Sequence, residues 1–113
     1  MIKRSVKEIA WMSGGSILGE KGLEQVLHGV STDTRSIEQD QLYIPLQGER
    51  FDGHDFIDKA IARGAGAALW SRHKPIPQVD IPLILVEDTL TAMQELAKEY
   101  RSQLKTTVIG ITG

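Results

Sequence analysis

A chain of 113 residues, 41% of them hydrophobic, suits one domain with its own core and no disulfide or metal staple. Its 13 basic and 15 acidic residues leave no cationic surplus for tracking a nucleic-acid backbone, and the absence of cysteine excludes disulfides, thiolate metal sites and thiol nucleophiles. No apolar run approaches the roughly 20 residues of a membrane-spanning helix, and the Lys3-Arg4-Ser5 start has no hydrophobic stretch of signal-peptide type, so a cytoplasmic location is expected.

Ser5-Val6-Lys7-Glu8 has the form of a capping box, so a short helix is expected to follow it, with Val6, Ile9, Ala10 and Met12 or Ser13 turned inward. Gly14-Gly15 ends that helix. Ser16-Ile17-Leu18-Gly19 and Val26-Leu27-His28-Gly29-Val30 read as short extended pieces around a turn at Gly22. The polar run Ser31-Thr32-Asp33-Thr34-Arg35 is a loop, because its hydroxyls and carboxylate bond nearby backbone. Leu42-Tyr43-Ile44-Pro45-Leu46 has strand character, with Pro45 pointing to an edge, a strand end or a bulge.

After a loop at 47–53, Asp55 is expected to cap a helix over 55–63 with Phe56, Ile57, Ala60 and Ile61 on its inner side and Gly64 as its stop. Residues 65–70 form a buried strand, 71–80 a proline-containing surface connection, and 82–86 the clearest strand. Asp88 or Thr89 caps a helix over 89–103, with Leu90, Met93, Leu96, Ala97, Tyr100 and Leu104 as its apolar stripe. Residues 106–111 return to strand composition. This alternation predicts an α/β fold: a mixed, largely parallel sheet flanked by helices.

Residues able to carry chemistry are sparse. His28 and His73 stand alone in unrelated segments, so no metal site is expected. Asp52 and His54 are read as a turn bond and a cap rather than an acid/base pair, and Trp11 and Trp70 as packing residues. The run Val108-Ile109-Gly110-Ile111-Thr112-Gly113 reads as a strand entering a glycine turn, the way a phosphate-binding loop begins, although the lysine and following hydroxyl residue of such a loop are not in it. Taken alone it equally suits a final core strand with a tail.

The ordered set Ser31-Thr32-Asp33-Thr34-Arg35, then Leu42 to Phe56 with Gly48-Glu49-Arg50-Phe51-Asp52-Gly53-His54 at its centre, then Ala60 and Gly64-Ala65-Gly66-Ala67, closely resembles the N-terminal domain of the Mur ligases of peptidoglycan synthesis. The similarity runs over essentially the whole chain, and the Gly48 to His54 run favours the member that adds a dipeptide over the similar one that adds a diamino acid. The resemblance implies that residues 1–107 bind the UDP end of a UDP-MurNAc-tripeptide and that 108–113 begin an ATP-binding domain, with Thr112 and Gly113 at the start of its phosphate loop. It further implies that ATP and Mg²⁺ serve the full-length enzyme, ATP activating the tripeptide carboxylate for attack by the amine of D-alanyl-D-alanine, which another domain brings. A part confined to these residues is expected to be catalytically silent.

Of the site residues, the resemblance assigns a uracil contact to Thr34, and to Gly48, Glu49, Arg50 and Phe51 the loop closing over base and ribose. Chemically, a hydroxyl and aimed backbone groups can read the uracil edge, Phe51 can cover its face, and Arg35 or Arg50 can meet a phosphate oxygen. Asp33 offers Arg35 a competing ion pair. Two rival readings stand beside this one: an interaction module with no small-molecule site, and a nucleoside-phosphate kinase, which the length of chain before the glycine turn disfavours.

Overall fold

Capping chemistry starts the first helix where the sequence places it. The computed structural model describes the backbone of residues 3–19 and 22–112 and the side chains through residue 104. Strand β1 (Lys3–Ser5) runs into α1 (Val6–Ser13), where the Ser5 hydroxyl accepts from the Glu8 N–H at 3.2 Å and the Glu8 carboxylate accepts from the Ser5 N–H at 3.0 Å. Gly14 ends the helix at φ 73°, in the left-handed region that side chains disfavour. The inner face is the expected one, Val6, Ile9, Ala10, Met12 and Ser13. Trp11 is a correction: it stands four residues beyond the exposed Lys7, on the solvent face of α1, and is 71% exposed. Trp70 is buried as expected.

Six more strands follow: β2 (Ser16–Leu18), β3 (Val26–His28), β4 (Val30–Ser31), β5 (Leu42–Tyr43), β6 (Ala67–Ser71) and β7 (Leu83–Val86). The main sheet has the order β2-β7-β6-β5-β4, in which β4 to β7 are mutually parallel and β2 joins β7 antiparallel; β1 and β3 form a separate antiparallel pair. This is the expected mixed, largely parallel sheet. Pro45 lies beyond the end of β5, an interior strand, so its missing N–H costs the ladder nothing.

Period-two alternation divides the core into two layers. Leu42, Ile44, Ala67, Leu69, Ile84 and Val86 pack with α1 and with Ala92 and Leu96 of α3 (Thr89–Thr112), while Tyr43, Ala68, Trp70 and Leu83 pack with Ile57 and Ala60 of α2 (Ile57–Ala62).

Three helix details differ from the sequence reading. Asp52, not Asp55, is the cap: it starts a 3₁₀ turn at Gly53–Phe56, accepting from the His54 N–H at 3.0 Å, and this turn runs into α2. The α3 stripe holds in part: Met93, Leu96 and Tyr100 pack on the core as expected, but Leu90, Ala97 and Leu104 do not. Asp88 caps the helix by accepting from the Thr91 N–H at 2.9 Å, and Ala92 and Leu96 are buried, whereas Leu90 and Leu104 are nearly half exposed and Ala97 faces solvent. Two contacts select this register: the Thr89 hydroxyl donates to the Pro45 carbonyl at 2.6 Å, and the Arg4 guanidinium donates to Gln103 Oε1 at 3.1 and 3.0 Å.

Finally, α3 continues through Thr112 in place of the strand expected over 106–111. A strand needs a neighbour to satisfy its backbone groups, whereas a continuing helix satisfies them within itself. The Thr112 side chain and Gly113, the expected start of a phosphate loop, lie outside the described residues.

Candidate functional site

The segment after β5 is tied to the sheet through Tyr43 and Ser71, to α3 through Thr89 and to itself through Gly53 and Leu46, and these bonds position the site. The buried Tyr43 hydroxyl donates to the Gly53 carbonyl at 2.8 Å, and Thr89 takes the Pro45 carbonyl. The Gly53 N–H donates to the Leu46 carbonyl at 2.8 Å. His54, 6% exposed, accepts the Ser71 N–H on Nε2 at 3.2 Å and places Nδ1 2.7 Å from the Asp52 carboxylate. Because Nε2 is an acceptor, the ring proton sits on Nδ1 and is given to Asp52. Lys74 Nζ, 2.7 Å from Asp52, completes the cluster.

Asp52 and His54 are thus committed to structure, as the sequence reading held. Burial pushes the Asp52 carboxyl up, but the Lys74 ammonium and the backbone and ring donors of His54 outweigh it and hold the group at about 2. Burial, aided by the negative charges of Asp33 and Asp52, drives the Tyr43 phenol up to about 12, which keeps it a neutral donor to Gly53.

From this anchored base, residues 47–52 project as a tight hairpin. Gln47 and Asp52 pair antiparallel, and the Gly48 N–H donates to the Phe51 carbonyl at 2.6 Å. Opposite it stands the turn after β4, where the Ser31 hydroxyl donates to the Asp33 carbonyl at 2.9 Å. The Asp33 carboxylate receives the Arg35 N–H at 2.8 Å and the Arg35 guanidinium at 2.7 and 3.1 Å. The side-chain and backbone donors of Arg35 hold the Asp33 carboxyl at about 2.

Between hairpin and turn lies a cavity of about 740 Å³. Of the expected site residues, Thr34, Arg35, Gly48 and Phe51 line it; Glu49 and Arg50 sit exposed at the hairpin tip and do not. Phe51, 51% exposed, stacks on Phe56 with centroids 5.2 Å apart and planes 23° from parallel. The Thr34 hydroxyl makes no hydrogen bond among the described residues and is available to a ligand. Arg35 lines the cavity while already paired with Asp33.

The sequence reading missed Thr32, Asp33, Leu46, Gln47, Phe56 and Lys59 as lining residues. Phe56 was expected in the core. Instead it is only partly buried, because the Asp52 cap starts the helical turn earlier and brings this ring beneath Phe51. The spacing of Phe56 and Lys59, three residues apart at a helix start, was the available signal: it puts both on one face, and Lys59 Nζ lies 5.3 Å from the Phe56 ring centre.

A flat aromatic face, a free hydroxyl, a turn with hydrogen-bonding backbone and one unpaired ammonium together suit a ligand that is planar at one end and anionic at the other. Among the described residues no group of three or more His, Asp or Glu side chains is placed to hold a metal ion. No helix among them is long and apolar enough to cross a membrane.

Comparison with known proteins supplies the context. The family model described as "Mur ligase family, catalytic domain" matches residues 26–101. The UDP-N-acetylmuramoyl-tripeptide--D-alanyl-D-alanine ligase of Bacillus subtilis (strain 168) is 54% identical over 113 residues, which is all of this chain and 25% of the relative. The enzyme of the same name from Escherichia coli (strain K12) is 40% identical over 113 residues, again all of this chain and 24% of the relative. A crystal structure of MurF from Acinetobacter baumannii superposes with a TM-score of 0.79 at 25% identity, covering 91% of this chain and 22% of that one. The chain therefore spans about a quarter of the length of the curated relatives it matches.

Proposed function

The chain belongs to the Mur ligase family, and from that premise we propose that it is the substrate-holding domain of an ATP-dependent UDP-N-acetylmuramoyl-tripeptide--D-alanyl-D-alanine ligase, receiving the uridine end of the UDP-MurNAc-tripeptide in the cavity between residues 32–35 and 46–51. The observation that carries this is the juxtaposition of the Phe51–Phe56 stack with the unbonded Thr34 hydroxyl across that cavity. Uracil offers one N–H between two carbonyls on a flat ring, so stacking on Phe51 and edge recognition by Thr34 and the neighbouring backbone are complementary to it.

In this reading residues 1–107 hold the nucleotide end of the substrate and 108–113 lead into the ATP-binding part. ATP and Mg²⁺ belong to the remaining three quarters of such an enzyme, where ATP supplies activation of the tripeptide carboxylate for amide formation with D-alanyl-D-alanine. What these residues contribute is orientation: a nucleotide held at one end leaves the peptide end to be placed by the other domains. The same domain of the diamino-acid-adding ligase is the second reading, favoured over an interaction module by the aromatic cavity.

Titration of the ¹⁵N-labelled protein with UDP tests the site. Amide shifts are expected to cluster at Thr34 and over 48–51. Shifts scattered elsewhere, or none at millimolar UDP, would refute the assignment.

A further inference from the structure

Building on that uridine-diphosphate reading, we infer that Lys59, rather than Arg35 or Arg50, supplies the cation that meets the diphosphate and so sets the preference of the site for nucleotide over nucleoside. Three basic side chains lie at or near the cavity, and the structure distinguishes them. Arg35 is engaged: its guanidinium holds Asp33 through both carboxylate oxygens, at 3.1 Å and 2.7 Å, and the pair brings no net charge. Arg50 is at the hairpin tip and does not line the cavity. Lys59 lines it, and among the described residues it makes no ion pair and no hydrogen bond, Asp55 and Asp58 on the same helical segment included. Its ammonium lies over the Phe56 ring, 5.3 Å from the ring centre.

This contact also sets the reach of the ammonium. Phe51 stacks on Phe56 at 5.2 Å and Lys59 lies 5.3 Å from the same Phe56 ring, so an aromatic surface and a positive charge both border the cavity around one residue. A nucleoside diphosphate has the same layout, an aromatic ring at one end and its anionic groups a sugar's length away. The flexible lysine stem lets the ammonium leave the ring and follow a phosphate oxygen, which the Arg35 guanidinium can do only by surrendering its bonds to Asp33.

Uridine, UMP and UDP would be titrated by NMR into the wild-type chain and its Lys59→Met, Lys59→Arg and Arg35→Met variants. Lys59→Met is expected to weaken UDP by about tenfold or more, the loss of one charge-assisted bond, and to leave uridine unchanged. Lys59→Arg should keep most of the UDP affinity, and added salt should weaken UDP more in the wild type than in Lys59→Met. Equal UDP affinity in wild type and Lys59→Met, or an equal loss for uridine and UDP, overturns the inference. Absence of any uridine or UDP binding by the wild type instead overturns the uridine reading beneath it, so the two failures are told apart.

Discussion

The Nε2 atom of His54 accepts the backbone N–H of Ser71 at 3.2 Å, joining the loop that carries the hairpin to the end of strand β6. This bond is buried, and the ring also packs edge-on against Trp70 with centroids 4.5 Å apart. His54→Phe keeps the packing but leaves the Ser71 N–H without its acceptor. We expect a loss of about 1 to 3 kcal/mol, the cost of an unsatisfied buried donor, in urea unfolding. A change under roughly 0.5 kcal/mol, typical of surface positions, would show that Ser71 finds another partner.

Asp52 gives the same cluster a pH dependence. Its folded-state carboxyl, at about 2, lies below the ordinary carboxylate value of 3.8. A lowered folded value means that the stabilisation is complete above the unfolded value and is lost as pH falls from about 4 through about 2. The urea midpoint of the wild type should therefore decline across that window more steeply than that of Asp52→Asn. Parallel declines would place the acid sensitivity elsewhere.

Gly53 is the point where the hairpin returns against Pro45 and Leu46, just beyond β5. A Cβ there would stand 2.8 Å from both Pro45 Cα and Leu46 N, backbone atoms that cannot swing aside. Gly53→Ala is expected to cost about 1 to 3 kcal/mol, as overpacking does. It should also displace the Gly48 and Phe51 amide resonances. Unchanged stability with an unchanged spectrum would contradict this close approach.

Helix α3 offers a paired test of register. Leu96 is 1% exposed and Leu90 47% exposed. Leu96→Ala should cost about 2 to 5 kcal/mol as a buried large-to-small change, and Leu90→Ala well under 1 kcal/mol. Similar costs for the two would mean that Leu90 is packed inward together with Leu96.

Ligand stabilisation separates the two ends of the proposed reaction. UDP at ten times its dissociation constant should add about 1.4 kcal/mol and raise the melting temperature by several degrees. Mg-ATP should leave it unchanged, since the single Lys59 ammonium leaves most of a triphosphate's charge uncompensated and the described residues place no group of three or more His, Asp or Glu side chains for the metal. A clear rise with Mg-ATP and none with UDP would move the nucleotide site to the other substrate.

Short-range chemistry was legible in the sequence because it is decided by neighbours along the chain. Ser5 and Glu8 are three residues apart and cap α1 wherever the rest of the chain lies. The apolar runs at Leu42 to Ile44 and Leu83 to Val86 point to strands of a packed sheet, and the polar run at 31–35 and the glycine-containing stretch at 47–53 announce loops by composition, although the hairpin within the second is seen only in the fold. Tertiary structure decided what depends on distant partners. Whether Asp52 or Asp55 capped the turn was settled by Lys74 and by the seat that Ser71 gives His54. The α3 stripe was settled by Pro45 and Arg4, because its sequence offers more than one helical face and only the packed sheet selects among them. The aromatic wall has the same origin: the spacing of Phe56 and Lys59 puts both on one face, but Phe51 and Phe56 meet only after the hairpin folds back, so the sequence could not say that this face lines a cavity.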